Sequence, residues 1–198
     1  RLFENKNYIL ALSHTKKVFN TFNASKFTNN RLLIEIMFQN RMLSMQSEFY
    51  LKDYIESIKH ADAANYCIKI LNKKNSSLPF YRFKGTALLE LKRYSEASKL
   101  YTEALEYKES ADFYFGRGSA YKKLNQWSSV FNDAKKAQNL VNNYEGSHLL
   151  LGSFYQNRGN KRKACNNYGK AKNIMNADQY TYLSQEELNF ILNECNIW

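Results

Sequence analysis

Helix-breaking residues are scarce in this chain. One Pro and seven Gly occur among 198 residues. An all-β domain needs a turn signal every ~8–12 residues, and this sequence does not supply them. Long helices joined by short connections are the fold class that remains. No apolar run nears the ~20 residues of a membrane span; Leu32-Leu33-Ile34 stops at Glu35. Cysteine is sparse and unpatterned. Cys67, Cys165 and Cys195 form no C-x-x-C, which argues against a disulfide framework and a zinc ribbon. The expectation is three reduced, buried thiols in an intracellular, cytoplasmic protein. His14, His60 and His148 have no second His or Cys at ligand spacing, so no metal and no cofactor are expected. The chain opens at Arg1 rather than Met, so a fragment or processed form is expected, with any targeting signal upstream.

What is present is an ordinary globular mixture, 44% apolar and 24% charged, with a formal charge of +11. Residues 1–99 hold 17 Lys+Arg against 8 Asp+Glu, whereas 100–198 hold 12 against 10. A basic half can attract acidic proteins, nucleic acid or anionic lipid. Lys outnumbers Arg 21 to 8, so codon bias in an AT-rich genome with a solvated surface is the plainer reading.

The main signal is an internal repeat. Gly85, Gly118 and Gly152 fall 33 and 34 residues apart. Three residues after each glycine stand Leu88, Tyr121 and Tyr155; twelve after, Ala97, Val130 and Ala164. Sixteen after stand Tyr101, Ala134 and Tyr168; nineteen after, Ala104, Ala137 and Ala171. The last three sets are spaced i, i+4, i+7 and form one stripe on a second helix, facing a first helix that carries the glycine. Small residues let the two helices cross closely, and stacked repeats bury what one hairpin cannot.

This pattern, G-x2-Y…A-x3-F…A with a period near 34, resembles the tetratricopeptide repeat. The aromatic expected four residues before the glycine stands as Tyr81 and Tyr114, with His148 departing from it. The resemblance implies an all-α, right-handed superhelical solenoid of antiparallel helix pairs. Its expected parts are a partial repeat at 1–25 (second helix only), a divergent, lengthened repeat at 26–77, repeats at 78–110, 111–144 and 145–179, and a capping helix at 180–198. In the first part Tyr8, Ala11, Thr15 and Val18 match the second-helix stripe. In 26–77 helices are expected over about 31–45 and 53–71, with Ala64, Ile68 and Leu71 as the stripe and either lengthened helices or an insertion near Ser44–Leu51. At the end, Ser184 and Glu187 make an S-x-x-E capping box before Leu188, Ile191 and Leu192, and Trp198 is expected to pack under that helix.

No chemistry of an enzyme is visible. There is no G-x-S-x-G, H-E-x-x-H, Walker loop or G-x-G-x-x-G. Gly116-Arg117-Gly118 looks like a phosphate loop but lies inside a repeat helix with no strand before it. The expected function is a non-catalytic protein–protein interaction scaffold. The resemblance implies that first helices line a concave groove, here with Arg82, Phe83, Thr86, Phe115, Ser119, Lys122, Lys123, Leu149, Ser153, Gln156 and Asn157. Phe83, Phe115 and Leu149 would be apolar anchors. Thr86, Ser119 and Ser153 would be hydroxyls on the floor, and Arg82, Lys122 and Lys123 would face acidic groups of a peptide or helix. The family's clamp for Hsp70/Hsp90 tails would need Lys, Asn, Asn, Lys and Arg where this chain has Arg82, Thr86, Gly116, Gly146 and Leu150; only Arg82 keeps the charge, so that partner is not expected. Two alternatives stay open: RNA binding by the basic half with Tyr8, Phe19, Phe22 and Phe27, and a regulatory domain of an enzyme whose catalytic part lies elsewhere.

Overall fold

The computed structural model describes residues 7–10, 13, 31–72, 78–174 and 185–195. These are helical with short connections; no strand occurs among them, and no described helix is long and apolar enough to cross a membrane. The chain divides into two compact units, 1–93 and 94–198.

The first unit contains α1 (Arg31–Tyr50), α2 (Tyr54–Leu71) and α3 (Leu78–Glu90), with α2 packed on α1 and α3 packed on both. The side chain of Asp53 caps α2 by accepting from the Glu56 N–H at 3.1 Å. Met45, Ala61 and Ala64 are fully buried, and the Ser57 hydroxyl satisfies itself on the Met45 carbonyl at 2.9 Å. Arg41 Nη1 lies 2.9 Å from His60 Nδ1; a guanidinium only donates, so that ring nitrogen accepts. Burial lowers the Arg41 pKa. Tyr8 stacks on Tyr50 at 4.7 Å. The remaining residues of the amino-terminal stripe, Ala11, Thr15 and Val18, lie outside the described residues, as do Phe19, Phe22 and Phe27.

The second unit contains α4 (Tyr94–Tyr107), α5 (Ala111–Lys123), α6 (Trp127–Leu140), α7 (Glu145–Asn157), α8 (Lys161–Ile174), α9 (Gln185–Phe190) and a closing π-helical turn, Ile191–Cys195. Consecutive helices α4 to α8 pack in order, α5 also packs on α7, and the π-turn lies on α8. Leu149, Ala164, Tyr168, Ala171 and Ile191 make one buried cluster, completed by Phe115, Tyr155 and Phe190. Full burial of a side chain such as Ile191 contributes about 2–3 kcal/mol, which helps hold the terminal segment down.

One turn geometry recurs. Lys52, Lys92, Asn125 and Gly159 have φ of 65°, 60°, 58° and 67°. After each, a backbone N–H reaches the carbonyl five residues back: Asp53 to Glu48 at 2.9 Å, Arg93 to Leu88 at 2.8 Å, Gln126 to Tyr121 and Asn160 to Tyr155 at 2.9 Å. A left-handed residue closed by such a bond is a helix C-terminal stop. Counted from this turn, Met45 stands where Gly85, Gly118 and Gly152 stand, and Ser57, Ala61 and Ala64 form the matching stripe. The expected stripe of Ala64, Ile68 and Leu71 is buried, but the stripe begins seven residues earlier than expected. The reason is that i and i+7 share a helix face, so periodicity alone cannot separate the two registers. Helix α1 has 20 residues and α2 has 18, where the later first helices have 13 and the later second helices 14. Helix α1 runs unbroken through Ser44–Tyr50.

The cysteine expectation is overturned. Cys165 and Cys195 form a disulfide with Cα atoms 5.3 Å apart across 30 residues of sequence. The fold brings the π-turn onto α8, and spacing alone carries no sign of it. Cys67 is free and buried, and burial raises its thiol pKa.

Candidate functional site: a carboxylate held between three helices

The glycines explain how closely the helices approach. A Cβ on Gly152 would stand 2.6 Å from the Tyr168 ring. At Gly118 the corresponding second-helix residue is Ala134, and Leu150 from the next hairpin fills the room, 2.5 Å from a built Cβ. Gly116 lies under the Tyr101 ring. The two glycines of Gly116-Arg117-Gly118 are thus separate contact points on one helix. The arginine between them donates from Nε and Nη2 to Asp133 at 2.9 and 2.7 Å, and that bridge raises its pKa.

In the first unit Arg82 is exposed and Thr86 half-buried. Phe83 is 3% exposed, its ring edge-on to Phe49 at 5.2 Å and Tyr50 at 6.0 Å. In the second unit Leu149 is 4% exposed, inside the cluster closed by Ile191. Neither side chain offers an open anchor; both are core, because the neighbouring helix in one case and the terminal segment in the other cover them. Phe115 is half-buried between two clusters and edge-on to Tyr144 at 6.2 Å. Ser119 is half-buried, and Lys123 and Asn157 are exposed.

Lys122, Ser153 and Gln156 are brought together, and the residue that joins them is Glu187 of α9. Lys122 Nζ donates to both Glu187 oxygens, at 2.8 and 3.0 Å. The Ser153 hydroxyl faces Glu187 Oε1 on one side and the Leu149 carbonyl, at 3.0 Å, on the other. Tyr168 donates to Gln156 Oε1 at 2.7 Å, and its oxygen lies 3.5 Å from Glu187 Oε1. Glu187 is 6% exposed. The carboxylate therefore sits in a buried cradle built by α5, α7 and α8. The capping-box reading gave Glu187 a local role at a helix start; Ser184 lies outside the described residues, as does Trp198. Sequence reasoning missed the cradle because 65 residues separate Lys122 from Glu187. Two further ties hold the terminal segment: Lys161 to Glu194 at 2.7 Å and the disulfide. No group of three metal-ligating side chains occurs among the described residues.

Residues 78–110 match the family model of the tetratricopeptide repeat. The chain is also similar to "Heat shock protein STI1" of Saccharomyces cerevisiae, 29% identical over 93 residues; the match covers 46% of this chain and 16% of that protein.

Proposed function

We propose that this chain, which belongs to the tetratricopeptide repeat proteins, is a non-catalytic scaffold that binds a peptide or helix of a partner protein within a larger assembly. Within the second unit the binding face runs over α5 and α7, with Phe115 as apolar contact, Lys122 and Lys123 as cations, and Ser119, Ser153, Gln156 and Asn157 as polar partners; in the first unit Arg82 and Thr86 are the polar groups that α3 offers. The observation that carries the reading is the convergence of Lys122 and Ser153, from two first helices, on one carboxylate. A surface that desolvates a carboxylate and meets its charge can read an acidic peptide.

The surroundings of the clamp positions support leaving Hsp70/Hsp90 tails out of this proposal. Gly116 lies against Tyr101, Gly146 against Tyr144 and Phe115, and Leu150 is buried. None of them supplies a side-chain donor, so a terminal carboxylate there would be desolvated without partners.

The test is affinity purification from the native cell with the parent chain and with Ser119→Arg/Asn157→Arg. A protein recovered with the parent and lost with the variant, at unchanged melting temperature, supports the binding face. Equal recovery refutes it. Recovery of RNA in place of protein, falling steeply with salt, would replace this reading with nucleic-acid binding.

A further inference from the structure

We infer that the cradle of Lys122, Ser153 and Tyr168 is a binding site for a glutamate side chain of a partner's acidic segment, occupied in this chain by its own Glu187. The inference rests on the proposed peptide-binding face and adds the ligand group and its internal competitor.

Three observations carry it. First, the cradle is built to take an anion. Lys122 is 17% exposed and Glu187 8% at the side chain, so the ammonium is largely out of water, and removing the carboxylate would leave a buried charge unpaired. Second, the cradle atoms come from α5, α7 and α8, which are packed together without α9. The helices that carry the cradle atoms are thus held by one another, while Tyr168 also meets Phe190 of α9 edge-on at 6.2 Å. Third, the occupant is carried on a six-residue helix. A competitor attached to the same chain lowers the apparent affinity of an incoming ligand by the fraction of molecules whose site is open. A partner's acidic segment must displace Glu187, and the chain is thereby selective for segments that do more than present a single charge.

The experiment uses the full chain and two synthetic peptides that copy residues 183–194, one with the natural glutamate at the position of Glu187 and one with glutamine there. A carbodiimide joins a lysine to a carboxylate only in direct contact, so the unmodified chain should give an intrachain Lys122–Glu187 link. The glutamate peptide in excess should suppress that link, and the glutamine peptide should not. In Glu187→Gln, checked for folding by thermal melting, the glutamate peptide should bind about tenfold more tightly than to the parent. Lys122→Met in that background should abolish binding. If the glutamate peptide binds parent and Glu187→Gln equally, with no link formed, self-occupation is wrong while carboxylate recognition stands. If neither peptide binds any form, the cradle is not a ligand site, and the broader binding face is judged by its own purification experiment. The cross-link readout requires no substitution, so an unstable variant does not leave the inference untested.

Discussion

Arg117 and Asp133 form a two-pronged bridge between α5 and α6, with 15% and 4% of their side chains exposed. Arg117 also donates to Thr102 on α4 at 3.2 Å. One guanidinium thereby links three successive helices. The planar fork matches a carboxylate as an ammonium cannot.

Arg117→Ala should therefore destabilise the protein by about 3–5 kcal/mol, because it strands Asp133 in the interior. Arg117→Met with Asp133→Leu should recover most of that loss, since neither charge remains to be buried. Urea denaturation of the three chains measures it. Equal stability of Arg117→Ala and the parent would show that the bridge is not formed in solution.

Gly152 and Tyr168 divide one volume, with no bulk on the first helix and a full ring on the second. Met45 and Ala61 hold the same stations with the bulk reversed. Gly152→Met should cost about 3 kcal/mol or more through overpacking. Adding Tyr168→Ala should return part of it, which a double-mutant cycle reads as a coupling of about 1 kcal/mol or more. Recovery will be incomplete, because the Tyr168 hydroxyl also serves Gln156.

Lys92 carries a left-handed backbone with φ 60°. An L-residue with a Cβ pays about 1–2 kcal/mol there that glycine avoids, offset in part by glycine's freedom when unfolded. Lys92→Gly should raise stability by about 0.5–1 kcal/mol in thermal or urea unfolding. Gly159→Ala, at φ 67° in open space, should lower it by a similar amount through backbone strain alone.

His148 is buried where the earlier repeats have Tyr81 and Tyr114. Burial lowers its pKa; the bond to Asn167, 3.4 Å away, opposes this, while Lys170 and Lys135 add to the lowering. The unfolded chain therefore takes up a proton that the folded chain resists. Stability should be full above the ordinary histidine pKa of about 6.5 and should fall as pH drops from there through the folded value. His148→Phe should remove that part of the slope in melts taken between pH 5 and 7.5. An unchanged slope would place the histidine in water.

The fold was legible where small residues recur at fixed spacing. Ala104, Ala137 and Ala171 are fully or almost fully buried, because only a methyl fits where the helices cross. In the first unit the same logic slipped by one heptad. There the register is set by the turn at Lys52, and a lysine with a left-handed backbone carries no mark in the sequence. Of the site, the cations and hydroxyls were legible as types. Their partner was not, because periodicity describes a helix and its neighbours, whereas Glu187 arrives from 65 residues away. The same holds for Cys165 and Cys195, whose meeting depends on the path of the chain between them.

That link changes what a cut in the backbone means. A protease acting anywhere between Cys165 and Cys195 would release nothing: the fragments would stay joined, migrate as a single band, and separate only once a thiol reagent is added. A Glu187-bearing piece can therefore be severed from α8 in sequence and still be delivered to its cradle, with the sulfur bridge serving as the tether.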